Sequence, residues 1–242
     1  VVIITTKKGR QQKGLGVNVS HSQLFDKAFK GTEMQNEFGA GINPTFALGT
    51  DGVPEVDGAN YFWSFGPRFN GQQVRDIDDR MITWDAKPNN ILDAFQTGKF
   101  VNTNVSVEGG TDKTTFRASY SNLNNTYVIP NSELKRNAFA LRVTQKLSNF
   151  LTIDGSVNYS MSESRNPMVQ GSADNPLFAL SYFNPRNFDT KYWMNNYEDP
   201  EGGVNRNNPY GLAGVFFRQR YNNTVQSENT LLANLDLTAK IT

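Results

Sequence analysis

Residues 100–124, FVNTNVSVEGGTDKTTFRASYSNLN, leave the backbone little choice. Before the Gly109-Gly110-Thr111-Asp112-Lys113 stretch, Val101, Thr103, Val105 and Val107 alternate with Asn102, Asn104, Ser106 and Glu108. After it the phase resets, and Phe116, Ala118 and Tyr120 alternate with Arg117, Ser119 and Ser121. A repeat of two puts each set on one face of a strand, whereas a helix would scatter both around its circumference. Two such runs about a Gly-Gly-x-Asp joint predict a β-hairpin with one apolar and one polar face.

The same alternation recurs. Leu15, Val17 and Val19 form one run, and Phe139, Leu141 and Val143 another. Leu151, Ile153, Val157, Tyr159 and Met161 follow, with Gly155 in phase as an expected bulge or bend. Leu231, Ala233, Leu235, Leu237 and Ala239 close the series, making six amphipathic strands with the two of the hairpin. The second and third strands are joined by about five residues and the fourth and fifth by about four, whereas residues 26–99, 124–136 and 163–223 connect the others. In an antiparallel meander every longer connection then falls at one rim. Short turns at one rim and long loops at the other are the pattern of an antiparallel transmembrane β-barrel. A soluble sandwich has the same periodicity, so the distinction rests on loop asymmetry and on the Asn, Ser, Asp and Thr of the polar faces.

Composition narrows the partners. A net charge of +1 over 242 residues makes no electrostatic case for nucleic acid. The absence of cysteine excludes disulfides and thiolate metal sites. No run approaches the roughly 18 apolar residues of a membrane helix, which leaves strand-built membrane proteins open. The chain begins within the apolar, β-branched run VVIITT and ends on another alternating run, so it is expected to be part of something longer. Residues 1–14 are expected to be the end of a preceding unit and a basic linker, with the barrel strands in residues 15–242. Between the first two strands, Ile91, Leu92 and Phe95 predict one short helix over residues 90–96 in an otherwise structureless connection.

Several stretches together resemble a known family. They are VVIITTKKG (1–9), NEFGAG (36–41), SFGPRFNG (64–71) and, most specific, KPNNILDAFQTGKFVNTNVSVEGGTDKTTFRASYSNLN (87–124), with the weaker NNPYG (207–211). The chain is similar in these to the SusC/RagA-like TonB-linked outer-membrane transporters. The resemblance implies a Gram-negative outer-membrane location and a 22-stranded barrel filled by a plug, of which residues 1–6 would be the last strand. It also implies TonB-driven import of a large nutrient, an oligosaccharide or a peptide, beneath a SusD-like lipoprotein lid. The residues show no nucleophile–base set, phosphate loop or ligand cluster, so neither an enzymatic step nor a cofactor is expected. The residues themselves leave two alternatives, a passive porin-like channel and a soluble carbohydrate-binding sandwich.

On that expectation, aromatic rings and polar neighbours in the long loops are the substrate-binding candidates: Tyr61, Trp63, Tyr192, Trp193, Asn195, Tyr197 and Arg206. Sugar C–H faces stack on rings, and hydroxyls pair with Asn and Arg. The other role open to these aromatics is to give the loops cores of their own. Glu108, Arg117, Arg142 and Asp154 are expected to face the lumen, pairing across strands or meeting plug or substrate. Asp51, Glu55 and Asp57 lack calcium-loop spacing, and Asp51-Gly52 and Asp57-Gly58 read as a pair of turns. Asp76, Asp78 and Asp79 beside Arg75 and Arg80 read as a solvated charge cluster. His21 is expected at a rim or an interface, and no metal site is expected.

Overall fold

The computed structural model describes residues 7–31, 33–167, 176–182, 184–205, 212–221 and 223–241, and gives only the backbone for 176, 177, 179 and 212–215. The elements run β1 (Gln12–Asp26), β2 (Ala47–Leu48), β3 (Pro54–Glu55), β4 (Gln73–Arg75), β5 (Met81–Thr83), β6 (Gly98–Gly110), β7 (Thr114–Thr126), β8 (Glu133–Lys146), β9 (Leu151–Arg165), α1 (Pro176–Tyr182), α2 (Thr190–Asn195), α3 (Leu212–Tyr221) and β10 (Val225–Ala239). The protein is all-β, with 48% strand and 10% helix. The expected plug strand, residues 1–6, lies outside the described residues.

The six long strands form one antiparallel sheet in the order β1-β6-β7-β8-β9-β10, and it is open, with β1 and β10 at its edges. Its register lines up Val19, Val105, Tyr120, Phe139, Tyr159 and Leu231 as one row across all six strands. The next row is Val17, Val107, Ala118, Leu141, Val157 and Ala233. The opposite face carries Asn18, Ser106, Ser119, Ala140 and Asn158, then Glu108, Arg117, Arg142 and Ser156. Alternation along each strand therefore becomes continuous stripes across the sheet, because antiparallel pairing sets like faces side by side.

The ladders stop together where Asp26 pairs Gly98, Thr126 pairs Lys99 and Glu133, and Arg165 pairs Glu133 and Val225. All the longer connections leave from this rim. The short turns 111–113 and 147–150 lie at the other. The pairing of β9 with both neighbours is regular through Gly155, so the expected bulge is absent: Gly155 opposes Val143 and Leu235 in ordinary strand conformation.

The exposure of the two faces is the reverse of a soluble sheet. The apolar residues are bare, with Val17 65%, Leu141 49% and Leu235 70% exposed, whereas Ser106 on the polar face is 2% exposed. Residues 7–11 lie across that polar face. Lys8 reaches Asp154 at 3.0 Å, and the Gln12 amide donates to the Glu108 carbonyl at 2.8 Å. Gly9 lies flat on β7, where an added Cβ would fall 2.2 Å from the Phe116 carbonyl oxygen.

The hydrophobic core sits in the loops. Ala40, Val56, Tyr61, Val74, Trp84, Ala94, Leu180, Phe188, Trp193 and Phe216 form one buried cluster, and none belongs to the six long strands. The 26–99 connection is thus not structureless. It holds a second sheet, β2-β3-β4-β5, parallel only between β3 and β4. Trp84 anchors it: its indole N–H donates to the Pro67 carbonyl at 3.1 Å, and Phe46 and Phe69 flank its ring. Strands of two and three residues show no readable period, which is why the alternation misses them. The helix expected over residues 90–96 shrinks to one 3-10 turn, Leu92–Ala94, because Phe95 is already extended as the chain turns into β6. No described helix is long and apolar enough to cross a membrane, which says nothing of strands.

Candidate functional site

Two surfaces carry polar chemistry: the polar face of the large sheet and the body built from the two long connections.

On the sheet, Arg117 donates to Glu108 Oε2 at 2.8 Å and to Ser106 Oγ at 2.9 Å. Arg142 holds Asp154 with two bonds, Nε to Oδ1 at 2.8 Å and Nη2 to Oδ2 at 2.9 Å. All four predicted lumen residues thus stand on one face as two cross-strand ion pairs. Lys8 joins the second pair, and Arg10 approaches Glu108 at 4.0 Å. Toward the loop rim the same face is dominated by Ser and Asn, with Arg136 and Glu228 flanking Ser162 in one row. A groove of about 450 Å³ is lined by Ser20, Asn102, Asn104, Ser119 and Asn158, with Lys7, Arg117 and Arg142 beside them. It shares Ser119, Ser121 and Asn158 with a second groove of about 490 Å³. Hydroxyls and amides outnumber the charged groups in both grooves, which suits a polyhydroxyl ligand, since each such group both donates and accepts.

The long connections interlock around Arg186, which is 3% exposed. Its guanidinium donates to Asn36 Oδ1 at 2.8 and 3.0 Å, to the Pro88 carbonyl at 2.9 Å, and to Asn90 Oδ1. Asn187 accepts from the Ala40 backbone N–H at 2.8 Å and donates to the Tyr61 hydroxyl at 3.2 Å. Thr190 donates to the Asn90 carbonyl at 2.5 Å. Residues 184–190 are therefore the keystone of the loop body, and nothing in the local pattern of Asn-Pro-Arg-Asn announces it.

The predicted substrate-binding residues do not converge on one pocket. Tyr61 and Trp193 are fully buried. Trp193 stacks on Phe188 with ring centres 6.4 Å apart and meets the Tyr192 ring edge-on at 5.2 Å. Neither offers a face to a sugar, so for these two the structural role holds. Tyr192 and Tyr197 pack against the same core, Tyr197 edge-on to Phe217. Asn195 is exposed, with its amide donating back to the Lys191 carbonyl at 2.8 Å. Trp63 differs. It is 45% exposed and lies near-parallel to the more exposed Phe65, centres 6.1 Å apart, with Phe62 beside it at 5.1 Å. Arg206 lies outside the described residues.

At the β4–β5 tip only Asp79 of the expected solvated cluster is exposed. Asp76 is 5% exposed, and Asp78 is nearly as buried. Burial, reinforced by the neighbouring Asp78 and Asp189 charges, lifts the Asp76 carboxyl from 3.8 to about 6 against the pull of the Ile77 N–H and Arg80. Tyr192, which no local pattern reveals as a partner, donates its hydroxyl to Asp78 Oδ2 at 2.7 Å. Asp51 and Glu55 both pair with Arg75, Glu55 from strand β3, and Asp57 caps the 3-10 turn Gly58–Asn60. His21 is exposed on β1 and bonds Thr103 Oγ1 at 2.9 Å. Among the described residues, no three His, Cys, Asp or Glu side chains gather as a metal set.

No protein-family model matches the chain, and no curated protein matches it.

Proposed function

We propose that the chain is part of the barrel of a SusC/RagA-like, TonB-dependent outer-membrane importer, working with a SusD-like lipoprotein lid on a large nutrient, an oligosaccharide ahead of a peptide. The observation that carries this reading is the reversed exposure of the large sheet. An apolar face exposed on five strands and half-exposed on β6, opposite a polar face lined with ion pairs and partly covered by residues 7–11, is costly in water. It is the low-energy arrangement when lipid meets the outside and a filled lumen lies inside.

Two further features support it. The stripe Tyr120, Phe139 and Tyr159 borders a polar row on the same face, where the Tyr120 hydroxyl and the Asn122 amide both donate to Asn137 Oδ1, at 2.7 and 2.8 Å. Rings with polar tips at the edge of an apolar band are what a membrane interface selects. The Ser- and Asn-rich grooves on the inner face and the open Trp63–Phe65 pair suit sugar hydroxyls and C–H faces, which favours the oligosaccharide. Energy coupling and the lid rest on the family resemblance.

The test is fractionation of the intact parent protein from its own cells. Recovery in the outer membrane, soluble only with detergent and accompanied by a lipoprotein, is the expected result. Recovery in the soluble periplasm overturns the reading. Uptake that survives collapse of the proton gradient would make it a passive channel.

A further inference from the structure

We propose that the β4–β5 tip and Tyr192 form a proton-operated latch between the two long connections, closed at mildly acidic pH and loosened above neutrality.

The contact joins parts of the chain far apart in sequence. The tip is a tight turn in which the Asp76 N–H donates to the Arg80 carbonyl at 2.7 Å, with Asp79 in the left-handed region at φ 64°. On its inner side Asp78 Oδ2 accepts two bonds of 2.7 Å, one from Arg80 Nε and one from the Tyr192 hydroxyl of α2. Arg80 also lies over the Tyr192 ring, 3.2 Å from its centre, and reaches Asp76 Oδ2 at 3.3 Å. Asp78 Oδ1 is buried with no partner. One guanidinium therefore serves two carboxylates, while Tyr192 supplies the only hydrogen bond across the two connections described at this tip.

The charges are out of balance. Asp76 faces Asp78 and Arg80 on its own turn, Asp189 at the start of α2, and the phenols of Tyr61 and Tyr192. With all three acids ionised, only Arg80 opposes them. A proton taken up by the Asp76 carboxylate removes one negative charge, lessens its repulsion of Asp78 and Asp189, and leaves Arg80 to Asp78. Because the docked state holds Asp76 near 6 and a water-exposed Asp titrates near 3.8, docking binds the proton more tightly. The resulting stabilisation is complete below 3.8 and is lost as pH rises through about 6. The latch stands on this geometry whether or not the sheet spans a membrane.

The chain has no cysteine, so Met81→Cys and Asn195→Cys give two unique labelling sites, one on each side of the contact. Spin labels there report the separation by pulsed electron resonance. The expected result is one narrow distribution at pH 5.5 and an added longer component at pH 8, with a midpoint near pH 6. Asp76→Asn should keep the narrow distribution at both values. Tyr192→Phe, which retains the ring but loses the donor, should show the longer component at both. Identical distributions at the two pH values in the parent pair overturn the latch. So does a pH response that survives Asp76→Asn, or a Tyr192→Phe chain that behaves as the parent. If Asp76→Asn fails to fold, the parent titration and Tyr192→Phe decide the matter.

Discussion

Arg142 on β8 and Asp154 on β9 meet diagonally across the strand pair through two parallel hydrogen bonds, and Lys8 closes on the same carboxylate from residues 7–11. Both partners are largely buried on the polar face. One acid thus ties two strands and the incoming segment together.

Removing that acid should cost more than removing either cation. Asp154→Ala leaves Arg142 and Lys8 facing each other, with an expected loss of about 3 kcal/mol. Arg142→Met leaves Asp154 paired with Lys8 and should cost less. Unfolding in detergent by denaturant titration measures both. Equal or reversed losses would show that the acid does not tie these parts together.

The faces of the sheet can be told apart by where an arginine is tolerated. If the bare face meets lipid, Phe116→Arg or Leu235→Arg should cost about 2–4 kcal/mol. Ser119→Arg, on the polar face, should cost much less. In water, an arginine at a position as open as Leu235 would change stability by no more than about 0.5 kcal/mol. Refolding equilibria in lipid vesicles distinguish these outcomes.

Trp63 and Trp193 should respond in opposite ways. Trp63→Ala should weaken oligosaccharide binding while leaving the loop body intact, because its ring is open beside Phe65. Trp193→Ala should destabilise the loop body by about 3–5 kcal/mol through the cavity it leaves. Calorimetric titration with oligosaccharide, alongside limited proteolysis of the loops, separates the two effects. Unchanged binding in Trp63→Ala removes this ring from the substrate path.

Gly66→Ala should open the loop body without disturbing the large sheet. A Cβ there would fall 1.8 Å from the Ala40 carbonyl oxygen, where Gly66 N–H bonds the Gly39 carbonyl at 3.1 Å. The backbones must separate, at a cost of about 1–3 kcal/mol or more. Proteolytic cleavage within residues 27–97, with far-ultraviolet strand signal retained, is the expected outcome. Loops as resistant as the parent's would mean the close approach is dispensable.

How legible each part was follows from the range of the interactions that make it. Val101, Val105 and Val107 announce β6 because the alternation of side chains is a property of neighbouring residues, and the six long strands were all readable on that basis. Connection lengths then put the long loops at one rim. Gly155 misled, because a glycine in phase signals a bulge only if the partner strand loses register, and Val143 and Leu235 keep theirs. The loop body was largely hidden. Tyr61, Trp63 and Trp193 are the same kind of residue by any local measure, and their burial depends on partners such as Asn187 and Phe188, far away for Tyr61 and packed by folding for Trp193.

The amino-acid order alone therefore determined the strands, the two chemistries of their faces and the rim that bears the loops, because each depends on period and spacing along the chain. Tertiary structure decided the rest. It chose which aromatics are core and which remain open, and it buried Asp76 and Asp78 where a solvated cluster was expected. It also seated Arg186 as the keystone between the two connections. These outcomes depend on contacts between residues about a hundred positions apart, such as Asp78 with Tyr192, and no local pattern encodes which distant partner will arrive.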